Sequence, residues 1–210
     1  VHPEANTGRL ASHTWPGATG LAEDVRRYGA WMRDEAENRI GHLYPKVTLP
    51  VEYGGGEATV IAWLWARTVT CPNPACGAEM PLVRSFWLSK KKGKQAWVEP
   101  VVDRAAKRVN FEVRTGVGVP QEASKIGRGA KFRCLVCDNV AEDGHVRAEA
   151  LAGRMDARLM AVVAEGQRGR VYLPPSEEHT RVARSAQRPT NAPDQALAYD
   201  PRNIWCVNYG

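Results

Sequence analysis

The chain has 210 residues, 43% of them apolar and 25% charged, which suits one sizeable core or one core with a small satellite. Its longest apolar stretch, residues 60–66, is bounded by Arg67 and falls far short of the 18 or so residues a membrane span needs; the N-terminus also lacks the basic and apolar regions of a signal peptide. The net charge of +6 is uneven, with 13 Lys and Arg against 5 Asp and Glu over residues 77–133 and 16 against 18 elsewhere, an asymmetry that points to a polyanionic partner.

In chain order, the uncapped ends, Val1-His2-Pro3 and Val207-Asn208-Tyr209-Gly210, read as those of an excerpt from a longer polypeptide. Residues 1–18, rich in Gly, Pro, Ser and Thr, read as a linker. Residues 19–57 are a helix and a connection: Leu21, Val25, Tyr28, Met32, Ala36, Ile40 and Leu43 recur at helical steps. Thr19 is the expected N-cap, Glu23 and Asp24 lie near the positive helix end, and Pro45 stops the helix. The opposite face is charged and faces solvent.

Residues 58–140 read as a zinc-ribbon-like β module. Strands are expected at 60–69, 82–88, 96–102, 109–114 and 131–133, with a lysine-rich hairpin turn at 90–94 and a loop over 116–129. Residues 141–186 read as a helical segment with a short strand: a helix over 146–164 closed by Gly166, a strand over 170–173 and a last helix from Ser176 to about Ala186. Residues 187–210 read as an irregular tail leading to a missing downstream domain. The fold class expected is α+β, a β-rich zinc ribbon with an N-terminal helix and a C-terminal helical segment.

Cys71 and Cys76 form a C-x4-C pair followed by Gly77, and Cys134 and Cys137 form a C-x2-C pair followed by Asp138 and Asn139. Two short loops delivering two thiolates each meet the tetrahedral demand of zinc, and the residue after such a loop often needs the positive φ that Gly, or Asn, tolerates. The 57 residues between the pairs exceed the usual spacing. Disulfides suit a secreted protein better, and nothing in the chain suggests secretion. A redox pair at Cys134 and Cys137 leaves the other two cysteines unexplained, whereas an iron–sulfur cluster takes the same ligand set and stays open as an alternative. Cys206 is left as a plain thiol. His145 is a substitute ligand on spacing, and the better reading places it at the start of the following helix.

Lys90, Lys91, Lys92 and Lys94 crowd one hairpin tip, and Arg84, Arg108 and Lys131 are the further nucleic-acid-binding candidates of the same module, alongside Arg104, Lys107, Arg114, Lys125, Arg128 and Arg133. A phosphate backbone rewards such a stripe by counterion release. Trp87 and Trp97 flank the tip, where cross-strand packing is a better account of them than stacking on bases. No phosphate-binding loop, glycine-rich dinucleotide motif, metalloprotease motif or nucleophile elbow is present, so spacing alone marks no catalytic constellation.

The stretch VIAWLWARTV over 60–69, followed by CPNPACGAEMPLVRSFWLSKKKGKQAWVEPVV over 71–102, resembles the Zn-ribbon-containing adenine-specific DNA methylases. Further matches are Gly153-Arg154-Met155, residues 169–175 and Asn208-Tyr209-Gly210. The resemblance implies a cytoplasmic parent enzyme that methylates adenine N6 in DNA with S-adenosylmethionine, in some cases beside phage-defence genes. It places the cofactor-binding glycine motif upstream of this segment and an Asp-Pro-Pro-Tyr motif downstream, so it carries a metal role onto Cys71, Cys76, Cys134 and Cys137 and no catalytic or cofactor-binding residue. The partners implied are DNA and the catalytic methylase domain of the same polypeptide, with no membrane. The alternative reading is a purely structural or protein-interaction zinc module.

Overall fold

The computed structural model describes residues 19–167, 169–187 and Thr190. Helix α1 spans Thr19–Ile40 and gives way to a 3-10 turn, Gly41–Leu43, ahead of Pro45. Thr19 already lies inside the helix rather than capping it. Glu23 accepts hydrogen bonds from Arg27 at 3.0 Å and Arg26 at 3.3 Å, which hold its carboxyl below the usual value. The apolar stripe is present, but no described residue covers it: Leu21, Val25 and Met32 are each more than 60% exposed.

Eleven strands follow among the described residues: β1 (Val47–Thr48), β2 (Glu57–Ala58), β3 (Val60–Thr70), β4 (Glu79–Leu82), β5 (Trp87–Ser89), β6 (Ala96–Asp103), β7 (Arg108–Thr115), β8 (Phe132–Arg133), β9 (Val140–Ala141), β10 (Asp156–Gly166) and β11 (Gly169–Leu173). Helix α2 (Asp143–Leu151) separates β9 from β10, and α3 (Glu177–Ser185) follows β11. The architecture is mixed α+β and β-rich, with helices at both ends.

The main sheet has the order β11-β10-β3-β4, a second has β5-β6-β7, and β1-β2 and β8-β9 are short ribbons. β3 and β10 run antiparallel from Thr68 opposite Asp156 to Val60 opposite Ala164, with two bulges. Between the two larger sheets lies a core that includes Met80, Phe86, Val98 and Val109, each no more than 2% exposed. The expected strand over 82–88 is two strands in two sheets. Val83 turns the chain out of β4, and its N–H donates to Ser124 Oγ at 2.9 Å while its carbonyl accepts from Lys125 N–H at 3.0 Å. Ser124 Oγ also donates to the Pro81 carbonyl at 2.8 Å, so one buried hydroxyl satisfies backbone groups where the ladder stops.

The expected helix over 146–164 is half wrong. α2 ends at Leu151, Gly153 takes φ +67°, and residues 156–166 form the central strand β10. Its residues Ala161 to Ala164 are all buried because β10 is flanked by β3 and β11 and covered on both faces. An apolar run buried on both faces has no alternation, and periodicity alone cannot tell it from a helix. Gly166 accordingly ends a strand at a hairpin rather than closing a helix. The last helix behaves as expected, with Ser176 Oγ accepting the His179 N–H at 3.1 Å.

Candidate metal centre

Each cysteine pair sits in its own β-hairpin. Cys71 and Cys76 occupy the turn between β3 and β4, where Cys71 N–H donates to the Ala78 carbonyl at 2.9 Å. Cys134 and Cys137 occupy the turn between β8 and β9, where Cys134 N–H donates to the Asn139 carbonyl at 2.8 Å. The chain must reverse within a few residues in both, which forces a left-handed residue after the second cysteine. Gly77 supplies it in the first loop at φ +59°. In the second the residue is Asp138 at φ +60°, not the neighbouring Asn139.

The folded chain brings all four sulfurs within 4.8 Å of one another, with Cys71 and Cys137 Sγ 3.6 Å apart. Tetrahedral thiolates about 2.3 Å from a shared ion would lie about 3.8 Å apart, so the donor set and its spacing fit a single metal ion. No sulfur is bonded to another. Cys71, Cys76 and Cys134 are buried in the main apolar core and Cys137 is partly exposed.

Burial pushes the Cys71 and Cys134 thiols up, as expected for groups whose charged form loses water. Burial acts on Cys137 in the same sense but is outweighed by the Asn139 N–H and the surrounding thiols, leaving it lowered. A divalent cation would reverse the unfavourable sign by supplying the charge that buried thiolates lack. Asn73 Nδ2 reaches toward Cys137 Sγ at 3.9 Å from the opposite loop. His145 lies in the first turn of α2 with its Nε2 2.8 Å from the Thr70 carbonyl, outside the sulfur group. Cys206 lies outside the described residues.

The turn between β6 and β7 grips both loops. Lys107 Nζ donates to the Ala75 carbonyl at 2.8 Å, and Arg104 Nη1 donates to the Val136 carbonyl. Sequence reasoning took both as part of the basic stripe. It missed this role because the two carbonyls are about 30 residues away in each direction.

The nucleic-acid candidates are not brought together. Lys131 pairs with Glu142 at 2.7 Å beside the cysteine loops, and Arg108 opens β7 at that same end of the second sheet. Lys91 and Lys94 lie at the far end, where β6 starts. Lys92 and Arg84 are exposed. Lys90 Nζ sits 5.9 Å from the Trp87 ring, and Trp87 meets Trp97 edge-on at a centroid distance of 5.9 Å. Trp97 is buried and donates its indole N–H to Glu99 at 3.1 Å, so the pair is a cross-strand core contact.

No described helix is long and apolar enough to cross a membrane. Compared with known proteins, the chain matches no family model, no curated protein and no solved structure.

Proposed function

We propose that the four cysteines hold one structural zinc ion and that the chain is the zinc-bearing, DNA-contacting segment of an S-adenosylmethionine-dependent adenine-specific DNA methyltransferase. The observation that carries the zinc assignment is the approach of four thiols from two distant pairs to within 4.8 Å. Four thiolates saturate the ion and leave no position for water or substrate, so its contribution is to folding. Methyl transfer and S-adenosylmethionine belong to the parent enzyme, and the resemblance over residues 60–102 is what supports that part. DNA contact is supported by Lys91, Lys92, Arg84 and Arg108, exposed cations that form no ion pair among the described residues.

A second reading, a zinc module that only holds the fold or a protein partner, is favoured by how many cations are used internally. Arg104 and Lys107 grip the cysteine loops, Lys131 pairs with Glu142, Arg114 pairs with Glu112 at 2.7 Å, and Lys125 Nζ donates to the Ile126 and Gly127 carbonyls. Two measurements separate the parts of the proposal. Elemental analysis should give close to one zinc per chain, and a value near zero in folded protein prepared without chelator overturns the metal assignment. DNA affinity at low salt should fall steeply with added salt and with charge reversal across Lys90 to Lys94. Affinity indifferent to both leaves the second reading.

A further inference from the structure

The end of the molecule opposite the cysteines holds a cleft of about 760 Å³. Its position follows from register. β3 begins at Val60 opposite Ala164 and ends at Thr70 beside Cys71, while β6 begins at Ala96 opposite Thr115 and ends at Asp103, just before the turn that grips the cysteine loops. The cleft is lined at the first of these ends by Ala96, Thr115, Gly166 and Gly169. Eleven residues of β3 put roughly 33 Å between the two sites.

Three cations line the cleft, Lys91 and Lys94 from the lysine hairpin and Arg170 from β11, against one carboxylate, Glu52. Lys91 and Arg170 are exposed and form no ion pair among the described residues. Arg170 lies outside the basic segment of the sequence, so only folding adds it to the lysines. Two half-buried tyrosines also line the cleft, and both are pinned. Tyr172 donates its hydroxyl to the Leu88 carbonyl at 3.2 Å and Tyr53 donates to Thr115 Oγ1 at 3.2 Å. Gly169 takes φ +118°, a backbone conformation that favours glycine, and lies beside Lys94.

We propose that this cleft binds an unpaired nucleotide, with Lys91, Lys94 and Arg170 on its phosphate and the ring of Tyr53 or Tyr172 against its base. Cations for the phosphate beside aromatic rings for the base are the combination that single-strand sites use. The volume lies in the range of small-ligand sites, and a single strand offers a base to it freely, whereas a duplex must first unpair and unstack one. The nucleotide comes either from single-stranded DNA or from a free mononucleotide, and only the first source rests on the DNA-contact reading above.

The test is fluorescence anisotropy of the metal-loaded chain with a short labelled single-stranded DNA, with the matching duplex and adenosine 5′-monophosphate as competitors. Arg170→Glu and Lys91→Glu should each weaken single-strand binding by about tenfold or more, equivalent to at least ~1.4 kcal/mol. Lys92→Glu, at the hairpin tip outside the cleft, and Arg108→Glu, at the other end, should weaken single-strand binding less than either and leave monophosphate binding unchanged. The monophosphate should compete better than the duplex. All four side chains are exposed, so the reversals leave the core intact, which thermal unfolding verifies.

Binding lost in Lys92→Glu or Arg108→Glu but kept in Arg170→Glu overturns the cleft and leaves DNA contact standing. Monophosphate binding that needs Arg170, read by titration calorimetry where no single strand binds, keeps the cleft as a mononucleotide site and removes single-strand contact. No binding of either ligand by the folded protein overturns both.

Discussion

Lys107, in the left-handed region at φ 51°, places its ammonium 2.8 Å from the carbonyl of Ala75, the residue before Cys76. Arg104 does the same for Val136, the residue before Cys137. One hairpin turn thus holds both cysteine loops by their carbonyls and sets two cations beside a centre that four thiolates would make net negative. The second sheet is thereby tied to the four-cysteine cluster.

Removing Lys107 should therefore loosen the metal without destroying the site. Lys107→Met should release zinc to a chromogenic chelator about fivefold faster, equivalent to ~1 kcal/mol, because the contact is solvent-exposed and partly screened. Release in the Arg104→Ala, Lys107→Met double variant should be faster still. Unchanged release in both would show that the grip does not bear on the metal.

Metal removal itself should have a far larger effect. Structural zinc contributes about 10 kcal/mol or more to small domains, comparable to the whole stability of an ordinary fold. Excess chelator, or Cys134→Ala at a fully buried ligand, should abolish the cooperative thermal transition of the β module. A sharp transition at the same temperature after verified metal loss would contradict this.

Asp138 occupies a conformation that costs an L-residue energy, and its neighbouring loop uses glycine for the same position. Asp138→Gly should stabilise the metal-loaded protein by up to about 1 kcal/mol, and Gly77→Ala should destabilise it by a similar amount. Chemical unfolding midpoints of the two variants should move in opposite directions.

His179 is buried against Trp63, whose indole N–H donates to its Nδ1 at 3.1 Å, and Trp63 stacks on Tyr44 at 4.8 Å. Burial lowers its pKa, with only the nearby Glu178 charge opposing. The contact needs the neutral ring, so the unfolded chain binds the proton more readily. The stability it contributes is present above about pH 6.5 and lost as pH falls through the depressed folded value. Unfolding midpoints at pH 7.5 and 5 should differ more in the wild type than in His179→Gln, which keeps an acceptor but cannot titrate. Equal pH sensitivity would remove His179 as the cause.

Local signals in the sequence carried the parts that need only near neighbours. Glycine after Cys76 marked a tight reversal, the β-branched run over 60–69 marked a strand, and Ser176 marked a helix start, because turn geometry, pleated packing and capping act within a few residues. The pairing of the two cysteine loops was legible through chemistry, since four thiols at ligand spacing have one common use. Tertiary structure alone decided the rest. β10 is a strand because β3 and β11 pair with its two edges while both its faces are buried, against its helix-like pattern. The basic stripe divided, Arg104 and Lys107 turning to the cysteine loops while Lys91 and Lys94 came to line one cleft with Arg170 about a strand's length away. Charge along a chain adds up without regard to direction, whereas a side chain can neutralise only the carbonyl or phosphate that the fold puts within its reach.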